Sequence, residues 1–164
     1  MALGAAGKVG YMRFQALAGA LVVSLIASGL ALAGTRADEG ARPDLIVSSV
    51  STPDGFVVFQ GSGFQVRDRT RNIGSASARA TVTRYYLSAN GHRTAVGRRS
   101  LARLRSHRSS TGSATATAPV TLQLGTYSLV ACADGAGAAR EANERNNCRT
   151  AATKVVVKKP PPRV

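Results

Sequence analysis

Between the two cysteines of this chain, Cys132 and Cys148, lies a run of oxygen donors: Asp134, Glu141, Asn143, Glu144, Asn146 and Asn147. Carboxylates and carboxamides gathered in one loop are what calcium takes, about six to eight oxygens at a time. The same short side chains also mimic backbone turns and satisfy loop N–H groups. The spacing is not that of a regular D-x-D-x-D-G loop. Two readings therefore stand, a calcium-binding loop or a loop stapled by its own hydrogen bonds. No other metal and no organic cofactor is expected, since two cysteines and two distant histidines, His92 and His107, do not make a closed zinc site.

The second group that could do chemistry is cationic. Arg67, Arg69 and Arg71 have strand spacing and so project from one face. Arg79 or Arg84 on a neighbouring strand, and Arg98, Arg99, Arg103, Arg105 and Arg108 beyond, would extend them into a patch that grips phosphate or sulfate through forked N–H pairs. The alternative is a solvated face in an arginine-biased sequence. Lys and Arg number 22 against 8 acidic residues, a net charge of +14 at pH 7. Such a charge attracts polyanions without specifying one. Specific nucleic-acid recognition is not expected, because no recognition motif is present and no aromatics interleave with the basic residues.

Catalysis has no constellation to support it. There is no nucleophile elbow and no paired carboxylates in a recognisable cleft, and paired cysteines offer no thiolate. His92 and His107 fall in basic loops.

The elements that must position these residues repeat with period two, not 3.6. Leu45 to Val50 is an apolar run between prolines, and Phe56 to Phe59 adds a short edge piece. Phe64, Val66, Asp68 and Thr70 alternate with Gln65, Arg67, Arg69 and Arg71, up to a turn at Asn72-Ile73-Gly74. Asp68 is in phase with the apolar residues and so faces inward, where it needs Thr70, a loop N–H or an arginine as partner. Alternation continues from Ala78 to Leu87, placing Tyr85 and Tyr86 on opposite faces, and Asn90-Gly91 is a strong hairpin signal. Val96 to Leu104 reads as short, basic and irregular, with Leu101 and Leu104 as anchors. Ser109 to Val120 follows, then Thr126 to Asp134, apolar on both faces and suited to the centre of a sheet, and finally Arg149 to Val157. Tyr127, preceded by Leu122 and Gly125, resembles a tyrosine corner whose hydroxyl bonds back to the chain. About seven strands with polar turns predict an all-β sandwich over 44–157, with a basic, proline-rich tail at 158–164.

The N-terminus decides what the cysteines mean. Lys8 and Arg13 precede an apolar run from Ala16 to Ala33, and small residues follow at Ala31-Leu32-Ala33 and Thr35-Arg36-Ala37. That order predicts a signal peptide over 1–37, starting at Met1 or Met12, then a linker at 38–43. The run also reaches the length at which an uncleaved anchor would hold the chain to a membrane. Removal of Lys8, Arg13 and Arg36 leaves 19 basic residues against 8 acidic ones, about +11. Export makes one bridge, Cys132 to Cys148, the expected state of the cysteines.

PDLIVSSVSTP, FQVRDRTRNIGSASA, TRYYLS, GTYSLVACAD and EANERNNC resemble the CARDB family, the cell-adhesion-related domain found in bacteria. The likeness covers about Pro43 to Val157 and is carried chiefly by Asn72 with Gly74 and by the Glu141–Asn147 ending. It implies an immunoglobulin-like seven-stranded antiparallel sandwich that serves as an extracellular module, and with no catalytic constellation present the module is expected to be non-catalytic. The expectation is a secreted or envelope protein that binds an extracellular protein, a glycan or an anionic envelope polymer as a monomer. A structural envelope protein held electrostatically to anionic polymers is the alternative.

Overall fold

The computed structural model describes residues 41–52 and 56–162. The signal peptide expected at 1–37, the first half of the linker and the last two residues of the tail lie outside the described residues. Among the described residues there is no helix, and eight strands follow one another: β1 (Leu45–Ser51), β2 (Val57–Phe59), β3 (Gly63–Asn72), β4 (Thr81–Ala89), β5 (His92–Leu101), β6 (Ser109–Thr117), β7 (Gly125–Cys132) and β8 (Cys148–Lys158). They make a three-stranded sheet in the order β1-β3-β6 and a five-stranded sheet in the order β2-β8-β7-β4-β5. Pairing is antiparallel except between β2 and β8, which run parallel. The tail after Lys158 carries no regular structure through residue 162.

Period two builds the layers. Phe64, Val66, Asp68 and Thr70 of β3 are buried while Arg67, Arg69 and Arg71 are exposed. On β4, Thr83, Tyr85 and Leu87 are buried in the same way. The inward residues of both sheets join one hydrophobic cluster that includes Leu45, Val66, Tyr85, Leu87, Leu129 and Val155. A fully buried Val or Leu of this kind contributes about 1.5–3 kcal/mol. β7 is the middle strand of its sheet, and Val130 and Cys132 are buried on its other face as well. The two tyrosines divide: Tyr85 lies in the core and Tyr86 is half-buried on the opposite side.

The count is eight strands, not seven, because the stretch read as short and irregular contains the ten-residue β5. Tyr85 pairs with Gly97 and Tyr86 with Ala95, so Val96 is an extra residue in the ladder. This bulge shifts the phase of β5: Val96 is buried within it, and Arg99 and Leu101 turn inward after it. A broken period and an edge position hide the strand from any alternation count. The β4–β5 hairpin itself closes as its sequence requires, with Asn90 at φ 50° and Gly91 at φ 79°.

Cys132 and Cys148 sit opposite each other at the open end of the β7–β8 ladder and form a disulfide. Closing a loop of sequence separation 16 contributes about 3 kcal/mol in the chain-entropy account.

Candidate functional site

The loop that leaves β7 and returns as β8 holds all six oxygen donors singled out above. Asp134, at φ 44°, is buried. Its Oδ1 accepts the Ala138 N–H at 2.9 Å and the Thr81 hydroxyl, and its Oδ2 accepts the Ala139 N–H at 2.8 Å. Glu141 is only 3% exposed. One of its oxygens accepts the Leu45 N–H at the start of β1, and the other accepts Asn147 Nδ2 at 2.8 Å. Glu144 accepts the Glu141 N–H at 2.9 Å, Asn143 accepts the Arg145 N–H at 3.0 Å, and Asn146 donates to the Asp44 carboxylate at 2.9 Å. Burial raises Glu141 from 4.5 to about 7, and the negative charges of Asp134 and Glu144 add to the shift while the two donors oppose it.

This arrangement ties down chain rather than opening a site. Both oxygens of Asp134 and both of Glu141 face N–H or O–H donors, whose dipoles repel a cation from the same place. Asn146 Oδ1 and Asn147 Oδ1 are buried without a protein donor, two oxygens against the about six to eight that calcium takes. No three or more His, Cys, Asp or Glu residues are grouped to hold a metal among the described residues. The loop's side chains do not fit a calcium centre as they stand.

The same end of the molecule holds a hub at Asn72, which the sequence marked as a turn and as a carrier of the family likeness. Asn72, fully buried, accepts the N–H groups of Asp44 (3.1 Å) and Gly74 (3.0 Å) and donates to the carbonyls of Ala76 (2.8 Å) and Leu104 (3.1 Å). Its amide is saturated. A Cβ on Gly74 would come within 2.3 Å of the Arg42 carbonyl oxygen, so no larger residue fits there. Entry segment, β3 turn and β7–β8 loop are thus interlocked. The signal available in sequence was an Asn-x-Gly turn; Gly74 and Ala76 are local partners, but Asp44 and Leu104 lie far off along the chain.

A second buried polar group sits between the sheets. Asp68 finds an arginine, as its inward phase demanded. Arg99 Nε donates to Oδ1 and Nη2 to Oδ2, both at 2.7 Å, and the Tyr85 hydroxyl (2.6 Å) and Thr70 hydroxyl (3.0 Å) complete the carboxylate's shell. Arg99 Nη1 reaches Ser110 at 3.1 Å. Hydrogen bonding to Asp68 holds the Arg99 proton still more firmly, and burial together with Asp68 pushes the Tyr85 hydroxyl up. Gly112, opposite Asp68 on β6, makes room: a Cβ there would sit 3.0 Å from Arg99 Cδ. The Tyr127 hydroxyl donates to the Gln123 carbonyl at 2.8 Å, the corner its sequence context suggested.

The arginines expected to form one patch are divided among four places. Arg67, Arg69 and Arg71 line the outer face of the three-stranded sheet. Arg98, paired with Arg84, is exposed on the five-stranded sheet. Arg103 and Arg105 are exposed in the β5–β6 connection, and Arg99 turns inward, its side chain 11% exposed. The correction has two physical causes, the bulge that turns Arg99 inward and the division of the strands between two sheets. β3 and β5 belong to different sheets, so the outward faces of their arginines look away from each other.

On the three-stranded sheet the arginines keep company with hydroxyls. Arg67 is flanked by Ser51 and Ser113, Arg69 by Ser49 and Thr111. Five carboxylates occur among the described residues: Asp44, Asp68, Asp134, Glu141 and Glu144. Asp68 lies between the sheets and the other four lie at the interlocked end. The only ion pair among the described residues is Asp68–Arg99.

The CARDB family model matches residues 42–151. The chain belongs to the CARDB family. Among solved structures, the CARDB domain of the PF1109 protein from Pyrococcus furiosus, crystallised in complex with di-metal ions, is 25% identical to this CARDB chain, with a TM-score of 0.51 over 73% of it and 91% of that domain. A domain of a presumed cell-surface protein from Methanosarcina acetivorans gives 21% identity and a TM-score of 0.51 over 71% of this chain and 93% of that one, a likeness of fold. Part of a Listeria innocua β-glucosidase, 16% of that chain, aligns at 12% identity and a TM-score of 0.45, too remote to bear on activity. No curated protein matches the chain.

Proposed function

We propose that this CARDB chain is an exported, non-catalytic binding module of the bacterial cell surface or extracellular space, with its two sheets packed as an immunoglobulin-like sandwich. One observation carries the reading. Every carboxylate among the described residues accepts internal hydrogen bonds, whereas the exposed charge on the sheet faces is arginine and lysine. A surface so arranged has contacts to offer an anionic partner and no grouped acid, base or nucleophile for chemistry. The relationship to a presumed cell-surface domain and the signal-like N-terminus support export.

The same charge distribution favours a second reading, a structural envelope protein held electrostatically to anionic polymers. Binding of the full exported chain to isolated cell envelope, washed with increasing salt, tests the pair. Release by moderate salt supports electrostatic retention. Retention through high salt identifies a specific adhesive contact instead, and failure to bind at low salt contradicts both. Sequencing the exported product's N-terminus checks cleavage after Ala33 or Ala37.

Calcium enters this reading only as a fold-stabilising option of the β7–β8 loop. Because the loop carboxylates are already engaged, millimolar calcium is expected to leave the melting temperature unchanged. A rise of several degrees would restore the loop as a metal site.

A further inference from the structure

We infer that the outer face of the three-stranded sheet is an anion-binding rib, and that it takes a linear polymer carrying sulfate or phosphate esters, laid along β3. This inference rests on the electrostatic part of the proposed function and narrows it to one face and one partner chemistry.

The geometry of β3 sets up the rib. Residues two apart on a strand stand about 6.6–6.8 Å apart on the same face. Arg67, Arg69 and Arg71 thus present three forks in a line about 13 Å long. β3 is the middle strand, hydrogen-bonded on both sides, so its backbone is unavailable to a partner strand. The partner must be read by side chains alone.

The neighbours say what kind of anion suits the rib. Ser49, Ser51, Thr111 and Ser113 stand directly beside Arg69 and Arg67 on β1 and β6. They are short, so the forks rise clear of them, and each offers a hydroxyl at the base of a fork. A guanidinium takes two oxygens of an anion in its plane. A planar carboxylate is satisfied by that fork. A tetrahedral sulfate or phosphate still turns oxygens toward the sheet, where the hydroxyls donate. Recognition of phosphate by arginine together with serine and threonine follows the same logic.

Two features exclude other partners for this face. It carries no aromatic ring, which removes the stacking platform of single-stranded nucleic acids. It also lacks the exposed apolar anchors that would enter a membrane, since the large exposed hydrophobics, such as Phe56, Val120 and Leu124, lie off these three strands. No carboxylate stands on the face to neutralise the rib, and the acids are gathered inside and at the interlocked end. The opposite layer offers no equivalent line. Arg98 there stands beside Arg84, whose stem covers Gly135.

The test compares the full exported chain with two charge-matched triple variants. One replaces Arg67, Arg69 and Arg71 with Ser. The other replaces Arg98, Arg149 and Lys154, exposed cations of the five-stranded sheet, with Ser. Heparin is the sulfated probe, polygalacturonate the carboxylate control and phosphatidylglycerol vesicles the lipid control. Affinity is measured across a salt series, and thermal melts confirm folding. The rib variant is expected to lose at least about tenfold in heparin affinity, and its log–log salt slope is expected to flatten by about 2, at about 0.7 per lost contact. The control variant is expected to stay within about twofold of the parent, since distributed charge contributes without specificity. Equal losses in the two variants would overturn the rib while leaving general electrostatic retention intact. Polygalacturonate or vesicles binding as tightly as heparin would overturn the assigned chemistry. A parent chain that binds none of the three would contradict both this inference and the electrostatic reading beneath it.

Discussion

The Cys132–Cys148 loop and the outer face of the three-stranded sheet use polar side chains in opposite ways. In the loop, the carboxylates of Asp134 and Glu141 are buried and met by internal donors. On the sheet, Arg67, Arg69 and Arg71 are exposed, and no carboxylate faces them. The sequence leaves two readings for each region: a calcium loop or a loop stapled by its own hydrogen bonds, and a polyanion patch or a solvated face. The geometry engages the loop's carboxylates internally and leaves the β3 arginines exposed. A cluster of acids that caps its own backbone is structural, and a line of exposed cations with no carboxylate beside it is the face proposed for binding.

Three experiments, from the largest effect to the smallest, would break or sharpen that contrast. The buried pair between the sheets is the extreme case of charge engaged inside. Asp68→Ala leaves Arg99 desolvated without its partner and is expected to cost about 3–5 kcal/mol in denaturant unfolding, whereas Asp68→Leu with Arg99→Met should recover much of that loss. A cost under about 1 kcal/mol for the single change would show that the interlayer pair is not a structural charge.

The loop makes a pH prediction. Glu141 titrates at about 7 in the fold against 4.5 as its ordinary value. Because the folded state holds this proton more tightly, stability is expected to fall as pH rises from about 4.5 to 7, by up to about 1.4 kcal/mol per pH unit, and to level off above 7. Glu141→Gln should flatten this slope. Asn147, turned about its terminal bond, can offer its unpartnered Oδ1 to the new amide. Denaturant midpoints of both proteins between pH 4.5 and 8 check it, and parallel curves would contradict the assignment.

The sheet face should be nearly silent in the same assays. Replacing Arg67, Arg69 and Arg71 with Ser is expected to change stability by no more than about 0.5 kcal/mol, as for surface residues without a structural partner. A larger loss would mean that the arginines hold the sheet together and are not free to bind.

Much of the frame was legible because period-two alternation is a local signal. Phe64 to Arg71 gave β3 and its two faces, Asp68 gave a buried carboxylate in need of a partner, and the Tyr127 context gave the corner. What escaped was non-local. The bulge at Val96 interrupts the alternation of β5, so neither the strand nor the inward turn of Arg99 could be counted. Which sheet a strand joins is decided by pairing partners far away in the chain, so arginines of β3 and β5 looked continuous in sequence and stand on different layers. Asn72 drew its importance from Asp44 and Leu104, neither of which is near it in sequence.

The central claim, that binding belongs to the arginine rib and not to the acidic loop, is tested most directly by a heparin-oligosaccharide titration of the isotopically labelled chain followed by amide chemical shifts. The account predicts salt-sensitive shifts concentrated at Arg67 to Arg71 and at the facing residues of β1 and β6, with Asp134 to Asn147 unmoved. Shifts centred on the Asp134–Asn147 loop, with β3 silent, would contradict it.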